Sequence, residues 1–364
     1  MVARAKTVKP AEAAGIEELY SRFTARKVSF ILIGLALLVA LAIVATSLGA
    51  ASLTTGDVFH AIVARVFPFS RAASSRLADT IVWDLRMPRI LMAVVAGMGL
   101  AISGATMQGI MRNPLVSPFT IGISSAAGFG ASLAIVLGVG LAGSERYLVI
   151  SNAFFFALLA AFLVYGIARL RGVSPETLIL AGIAIMYFFS AMTSLLQYIA
   201  TKEHLQAVVY WLFGSLTVAN WYNLLAVFLV LLVCLPLLMR GSWDLNALAA
   251  GDETATSLGV NTRRVRVVCM VLATLVTASI ICFTGVIGFI CLVAPHISRM
   301  IIGGDHRFLL PGSCVIGALL LLGADTVGRI VIQPTEIPVG IVTAFIGVPM
   351  FIFLLMTRRR EYWQ

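Results

Sequence analysis

The stretch "ILMAVVAGMGLAISGATMQ", Ile90–Gln108, contains no charged side chain from end to end. A run of about 20 mostly apolar residues is long enough to cross the hydrocarbon core of a bilayer as an α-helix. Glycine, alanine and serine recur along this run, and in lipid such small residues let neighbouring helices approach closely. The stretch therefore predicts a membrane-spanning helix that packs against other helices.

The whole chain has the same character, since 60% of its 364 residues are hydrophobic, 12% are charged and the mean hydropathy is +1.02. A water-soluble domain could not bury so much apolar surface, so lipid is the solvent for most of the chain. We predict an all-α membrane protein, a polytopic bundle of about ten transmembrane helices. The predicted spans are Val28–Leu48, Ile90–Gln108, Phe119–Leu141, Tyr147–Ala168, Thr177–Tyr198, Trp221–Met239, Val265–Phe283, Val286–Ile302, Leu309–Val327 and Ile337–Met356.

The segments outside the spans divide the chain and orient it. Residues 1–27 mix glutamates with basic residues and do not resemble a signal peptide, so the first span is predicted to remain uncleaved. Lysine and arginine are concentrated in the loops on the side of the two termini, which the positive-inside rule places in the cytoplasm. The predicted organisation is a cytoplasmic segment 1–27, a membrane domain 28–356 and a cytoplasmic tail 357–364.

Several function classes are disfavoured by what the sequence lacks. No glycine-rich loop of the G-x-x-x-x-G-K-[ST] type is present, so ATP hydrolysis by the P-loop route is excluded. The net charge of +10 is spread between apolar runs and not gathered in a stripe that would suit nucleic acid. The four histidines are scattered and no two cysteines form a C-x-x-C pair. We therefore expect no catalytic residues, no metal site and no cofactor in this chain.

The energy source of a transporter with this sequence is expected to be another protein. Proton- and ion-coupled pumps usually place a carboxylate in the bundle interior, whereas Asp325, the nearest case, lies at the end of a span. The alternative is an ion-gradient-driven secondary transporter that acts without an ATPase, and a buried mid-span carboxylate would favour it. A passive membrane scaffold is disfavoured by candidate interaction surfaces on both faces.

The first of these surfaces is the polar stretch Gly241–Arg266, which interrupts the apolar runs. Trp243–Ala250 is predicted to form a short helix that ends at Gly251. Asp252 is predicted to be the N-cap of a second short helix, Glu253–Leu258. The two would form a rigid surface knob, and the alternative is an amphipathic turn at the lipid interface.

The second surface carries arginines at the opposite face. Arg86 and Arg89 flank Pro88 just before an apolar run. Asp325 and Arg329 are four residues apart on a predicted helix, a spacing that favours an ion pair. Anchoring at the lipid interface is the alternative role for the three arginines.

Four long motifs resemble one family, the FecCD/BtuC-like permease subunits of type II ABC importers, which take up iron-siderophore complexes, haem and vitamin B12. The motifs are "RMPRILMAVVAGMGLAISGATMQGIMRNPLVSP" (Arg86–Pro118), "GDETATSLGV" (Gly251–Val260), "GFICLVAPHISRMIIGGDHRFLLPG" (Gly288–Gly312) and "EIPVGIVTAFIGVPMFIFLL" (Glu336–Leu355). They occur in the family's order over most of the chain.

The resemblance implies a multi-pass permease of the cytoplasmic (inner) membrane that works as a homodimer, with the transport path at its two-fold axis. It also implies two copies of a cytoplasmic ABC ATPase, which would bind ATP and magnesium, and an extracytoplasmic substrate-binding protein. A ferric siderophore is the cargo expected first, with haem or cobalamin as the alternatives.

The resemblance assigns roles to three groups of residues. The coupling helices, at about 243–259, would contact the ATPase through Asp252, Glu253, Ala255, Leu258 and Gly259. The arginines Arg86, Arg89 and Arg329 would dock the binding protein. Ser174, Pro175 and Glu176 match a cytoplasmic gate, although a well-known relative is rich in serine and threonine at those positions, where this chain has Pro175 and Glu176.

Overall fold

The computed structural model describes residues 10–49, 54–66, 75–141, 145–332 and 334–357. Across these ranges all regular structure is helical, so the all-α prediction is confirmed. The helices are α1 (Pro10–Ser47), α2 (Thr55–Val66), α3 (Arg76–Asp79), α4 (Met87–Met111), α5 (Ile123–Leu137), α6 (Glu145–Arg171), α7 (Pro175–Ile199), α8 (Lys202–Phe213), α9 (Trp221–Arg240), α10 (Ser242–Ala249), α11 (Asp252–Ser257), α12 (Thr262–Thr284), α13 (Ile290–Ile302), α14 (His306–Ile330) and α15 (Val339–Thr357). A π-helical segment, Thr80–Arg86, joins α3 to α4, and a 3-10 turn, Pro118–Ile121, precedes α5.

The predicted spans each correspond to one of these helices. Seven described helices are long and apolar enough to cross a membrane alone, and three shorter apolar helices match the remaining predicted spans. The first helix begins at Pro10, well before the predicted start of its span, so it continues into the segment that was predicted to be separate. Residues 1–9 of that segment, and residues 358–364 of the predicted tail, lie outside the described residues.

Helix α4 forms the centre of the bundle. It packs against α9, α12, α13 and α14, and most of its side chains are buried. Its small residues allow this: a Cβ at Gly97 would collide with the carbonyl oxygen of Gly317 in α14, and one at Gly104 with that of Cys291 in α13. Helices in lipid commonly associate through close backbone contact of this kind. The glycines of α4 therefore determine how closely α13 and α14 approach it.

The backbone is irregular where α12 passes into α13. Helix α12 ends at Thr284 with Gly285 as its C-cap, and Phe289 adopts the left-handed region with φ of 66° before α13 begins. Phe289 borders an apolar groove of about 570 Å³ between α8 and α15, which Phe213 and Phe345 also line. Non-helical backbone at membrane depth is tolerated only inside protein or against water. The groove thus combines apolar side chains with non-helical backbone.

Candidate functional site

The polar stretch between α9 and α12 folds as the two predicted short helices. Helix α10 ends one residue before its predicted end, and α11 spans Asp252–Ser257. Between them Gly251 has φ of 112°, a conformation that favours glycine. We call the end of the bundle that carries α10 and α11 the proximal end, and the end that carries Arg86 and Arg89 the distal end.

The prediction that Asp252 caps α11 is wrong. The N-cap is Gly251, and the Asp252 carboxylate instead accepts a hydrogen bond of 2.6 Å from the Arg266 guanidinium. A charge-assisted bond of this kind is about twice as strong as a neutral one. The Asp252 carboxylate therefore binds the guanidinium of Arg266 in preference to a backbone N–H of α11. The hydrogen bond from Arg266 also holds the pKa of Asp252 below its usual value, although partial burial opposes this effect.

The predicted ATPase-contact residues lie on two faces of the knob. Glu253, Leu258 and Gly259 are exposed, and 68% of Leu258 is accessible. Ala255 is fully buried and packs α11 against the bundle. The structure thus brings these residues together but leaves only part of the set available to a partner, and their role in contact with an ATPase stays a prediction.

Helix α10 is tied to the start of α14 by Asn246. Its amide nitrogen donates to Asp305 at 2.8 Å, and its amide oxygen accepts from the backbone nitrogen of His306, also at 2.8 Å. Asp305 is the N-cap of α14. Burial raises the pKa of Asp305, but hydrogen bonds from Arg307 and Asn246 outweigh it and lower the pKa to about 2. Sequence reasoning missed these contacts, which join residues about 60 positions apart.

The three predicted gate residues begin α7. Ser174 is its N-cap and accepts from the backbone nitrogen of Thr177 at 3.3 Å, and Pro175 occupies the first helical position, where proline is favoured. Pro175 is buried and Glu176 is exposed. The two line a proximal cavity of about 750 Å³ together with residues of α4, α10, α13 and α14: Gln108, Gly109, Met111, Arg112, Asn246, Ala249, Arg299, Gly304, Asp305 and His306.

The predicted gate and the predicted coupling helix α10 therefore border one cavity. This proximity does not test the gating role, which stays a prediction.

At the distal end the three predicted docking arginines form a buried cluster. Arg89 pairs with Asp325 at 2.9 Å and with Glu336 at 2.6 Å. Arg329 pairs with Asp325 at 3.1 Å, which confirms the ion pair predicted from their spacing. Arg86 donates to the carbonyl of Thr46 at 2.7 Å. The guanidinium groups thus bind partners within the chain, and contact with a binding protein stays a prediction.

Within the described ranges, no group of three or more histidine, cysteine, aspartate or glutamate side chains is placed to hold a metal ion. The five cysteines are all buried and free.

Comparison with known proteins gives a consistent result. A family model described as the FecCD transport family matches residues 36–357. The cobalamin import system permease protein BtuC of Halobacterium salinarum is 42% identical over 77% of this chain and 74% of its own length. The hemin transport system permease protein HmuU of Yersinia pestis is 38% identical over 90% and 95%.

A solved structure of a metal-chelate type ABC transporter in an inward-facing conformation superposes with a TM-score of 0.79. It is 34% identical and covers 91% of this chain and 99% of its own.

Proposed function

The chain belongs to the FecCD transport family and is a multi-pass ABC importer permease of the inner membrane, and we propose that it acts as a homodimer driven by a separate ATPase. In this proposal two copies of the ATPase bind ATP and magnesium in the cytoplasm, and a substrate-binding protein delivers cargo from outside. Both termini and the proximal end face the cytoplasm. Four observations support separate parts of the proposal.

The apolar groove between α8 and α15 supports a dimer with the path between its subunits. Its lining includes the irregular segment before α13, which lipid cannot satisfy. A second copy, or the water of a transport path next to it, would satisfy this backbone. The accessible apolar side chains at the groove, of which Phe345 is 76% exposed, are the type that an obligate interface buries.

The α10–α11 knob supports docking of an ATPase, and this is the observation that carries the proposal. Polar and apolar side chains project from it, with Trp243 at 64% and Leu258 at 68% exposure. The knob is nevertheless rigidly attached, through Asn246 to α14 and through Asp252 to α12. A rigid protrusion moves the helices to which it is attached when a partner displaces it, whereas a flexible linker would bend without moving them.

The distal arginine cluster supports docking of a binding protein. Arg86, Arg89 and Arg329 lie together at the end of the bundle opposite the α10–α11 knob, where Arg89 and Arg329 pair with Asp325 and Arg89 also pairs with Glu336. A binding protein that docks on this end would meet a surface whose charged groups are held in fixed positions, and such groups contribute more to register and association rate than to affinity.

The names of the relatives support a metal chelate as cargo. Cobalamin and haemin, for which two of them are named, both carry a metal within an organic ring. We propose a ferric siderophore as the cargo, with haem or cobalamin as the alternatives.

The mechanism is alternating access. Closure of the two ATPases on ATP would displace α10 and α11, and through them α14 and the start of α7 with Ser174, Pro175 and Glu176. Rigid movement of these helices would open one side of the dimer while the other side closes. An ion-gradient-driven transporter without an ATPase is the second candidate, but no observation on the described residues favours it.

The test is native mass spectrometry of the complex purified from its own membranes. The proposal predicts two copies of the chain with two copies of a soluble ATPase. Glu253→Arg reverses a charge on the exposed side of α11 and should release the ATPase, because the partner's matching surface would be repelled. Glu203→Arg changes the corresponding exposed first-turn residue of α8 and serves as the matched control. Retention of the ATPase by Glu253→Arg would contradict a docking site on α11.

A further inference from the structure

Arg266 is a charged residue buried in the first turns of α12. Only 2% of it is exposed, whereas Arg263 and Arg264 beside it are exposed. A buried charge is strongly unfavourable unless it is paired and hydrogen-bonded. The position of Arg266 is therefore stable only because several partners converge on its guanidinium group.

These partners belong to three different elements. The Arg266 guanidinium donates to Asp252 in α11 at 2.6 Å, to the Ile110 carbonyl at 3.1 Å and to the Val173 carbonyl at 3.5 Å. Ile110 lies in the last turn of α4, where carbonyls lack a helical partner and a cation is favoured. One side chain thus connects the knob, the central helix and the loop before α7.

The contact with Val173 places Arg266 next to the predicted gate. Val173 directly precedes Ser174, the N-cap of α7, and Pro175 and Glu176 follow. On the other side, Asp252 begins α11, whose exposed face carries Glu253. Arg266 lies between these two surfaces and contacts both of them.

Asp252 is held less tightly than Arg266. Its side chain is 38% exposed, and the guanidinium of Arg112, itself 37% exposed, lies 3.6 Å from the same carboxylate oxygen that Arg266 binds. The pair with Arg266 can therefore be reached by a partner that displaces α11, whereas the bond of Arg266 to α4 is buried and its bond to the gate loop is partly buried. Arginine suits this position because its donors are spread over three nitrogens of a rigid plane and can bind acceptors that lie apart, whereas the donors of lysine all come from one nitrogen.

We propose that Arg266 is a positioning residue that transmits displacement of α11 to the gate segment Val173–Glu176 and to the end of α4. This inference rests on the proposed function, because the force on α11 comes from the ATPase. Loss of the Asp252–Arg266 pair should leave ATP hydrolysis running while the gate no longer responds to it.

The test measures the gate directly and needs no knowledge of the cargo. Glu176→Cys is introduced into this chain, whose native cysteines are buried and contribute little background, and labelling of this chain is followed in the complete transporter. The rate of its reaction with a water-soluble maleimide is compared with and without ATP and vanadate, alongside ATP hydrolysis. Asp252→Asn, Arg266→Gln and Arg266→Lys are compared in this background, with Arg264→Gln as the matched arginine control.

We expect ATP to change the labelling rate in the parent and in Arg264→Gln. In Asp252→Asn and Arg266→Gln the ATP-dependent change should fall about fivefold or more, the lower range of a coupling free energy. Hydrolysis should continue in Arg266→Gln, and native mass spectrometry of Asp252→Asn checks that the ATPase, which Asp252 is predicted to contact, is still bound. Arg266→Lys should give an intermediate value, since lysine keeps the charge but not the fork.

Full ATP-dependent labelling in Asp252→Asn would overturn the inference, and so would a loss of thermal stability in Arg266→Gln without a loss of the response. If Arg266→Gln does not fold, Asp252→Asn decides the matter, because its half-exposed side chain tolerates the change. Absence of an ATP response in the parent, together with absence of ATP hydrolysis in the transporter that keeps Glu176, would overturn the proposed function itself, a result distinct from failure of the transmission step.

Discussion

Two arginine–aspartate clusters lie at opposite ends of α4 and differ in their exposure to water. At the distal end the Asp325 side chain is fully buried, and Arg89 and Arg329 are 12% and 4% exposed. At the proximal end Asp252 is 38% exposed and Arg112 is 37% exposed. The same types of side chain thus form a buried ion-pair cluster at the distal end and a partly exposed one at the proximal end.

The physical reason for this difference is the dielectric environment. A carboxylate enclosed with two arginines has no water to replace either partner, so breaking the cluster leaves uncompensated buried charge. A half-exposed carboxylate can exchange its partners for water at little cost. A partner protein can therefore disturb the proximal cluster, while the distal one keeps α4, α14 and the segment around Glu336 together.

The largest expected effect comes from removing the distal carboxylate. Asp325→Ala should destabilise the protein by about 3–5 kcal/mol, because Arg89 and Arg329 would stay buried without their shared partner. The change is measured by heating each variant in detergent and recording how much of its monodisperse size-exclusion peak remains at each temperature. Glu336→Gln is the control, since its side chain is 31% exposed and its loss should matter much less. Equal effects of the two variants would contradict the comparison.

The next effect concerns α4, which connects the two clusters. Gly104→Ala should destabilise the bundle by about 1–3 kcal/mol, because the new methyl group collides with the Cys291 carbonyl of α13. Gly166→Ala is the matched control in α6, where an added methyl group meets no atom within 4 Å. That control should be neutral or more stable by up to about 1 kcal/mol, since alanine favours a helix. A lower unfolding temperature for Gly166→Ala than for Gly104→Ala would contradict the conclusion that glycines determine how closely α4 packs against its neighbours.

The smallest effect on stability is expected at the proximal end. Asp252→Asn should lower stability at neutral pH by about 1 kcal/mol, because the Asp252 side chain is partly solvated and the buried Arg266 keeps the Ile110 and Val173 carbonyls as partners. The pKa of Asp252 is lowered in the fold, so the carboxylate stabilises the protein above its unfolded pKa and this contribution is lost as the pH falls through the folded value. The stability difference between the parent and Asp252→Asn should therefore be constant from pH 8 to 6 and vanish in acid. A difference that grew as the pH fell would contradict the sign of this shift.

Length and hydropathy were sufficient to predict the spans, since few structures other than a helix satisfy a long apolar run in lipid. The i, i+4 pair of Asp325 and Arg329 was also predictable, because it depends on one helix only. Contacts between segments that are distant in the sequence could not be predicted. In the sequence, Arg266 is one of several basic residues after the knob, and its bond to Ile110, 156 positions away, depends on how α4 and α12 pack.

The same limit explains the error at Asp252. Local sequence favoured an N-cap, but a guanidinium supplied by α12 binds the carboxylate more strongly than the nearby backbone amide. A signal was nevertheless present. A basic residue at the start of an apolar run, as Arg266 is before Val267, indicates a charge that the fold must pair.

The most direct measurement reconstitutes the chain with its co-purified ATPase and binding protein in proteoliposomes and follows uptake of a ferric siderophore, haemin and cobalamin in parallel. Ionophores collapse all ion gradients, and ATP is supplied on the side of the α10–α11 knob. The account predicts uptake of at least one of these cargoes that requires ATP and is unchanged by the ionophores. Uptake that continued without ATP and stopped with the gradients would contradict it.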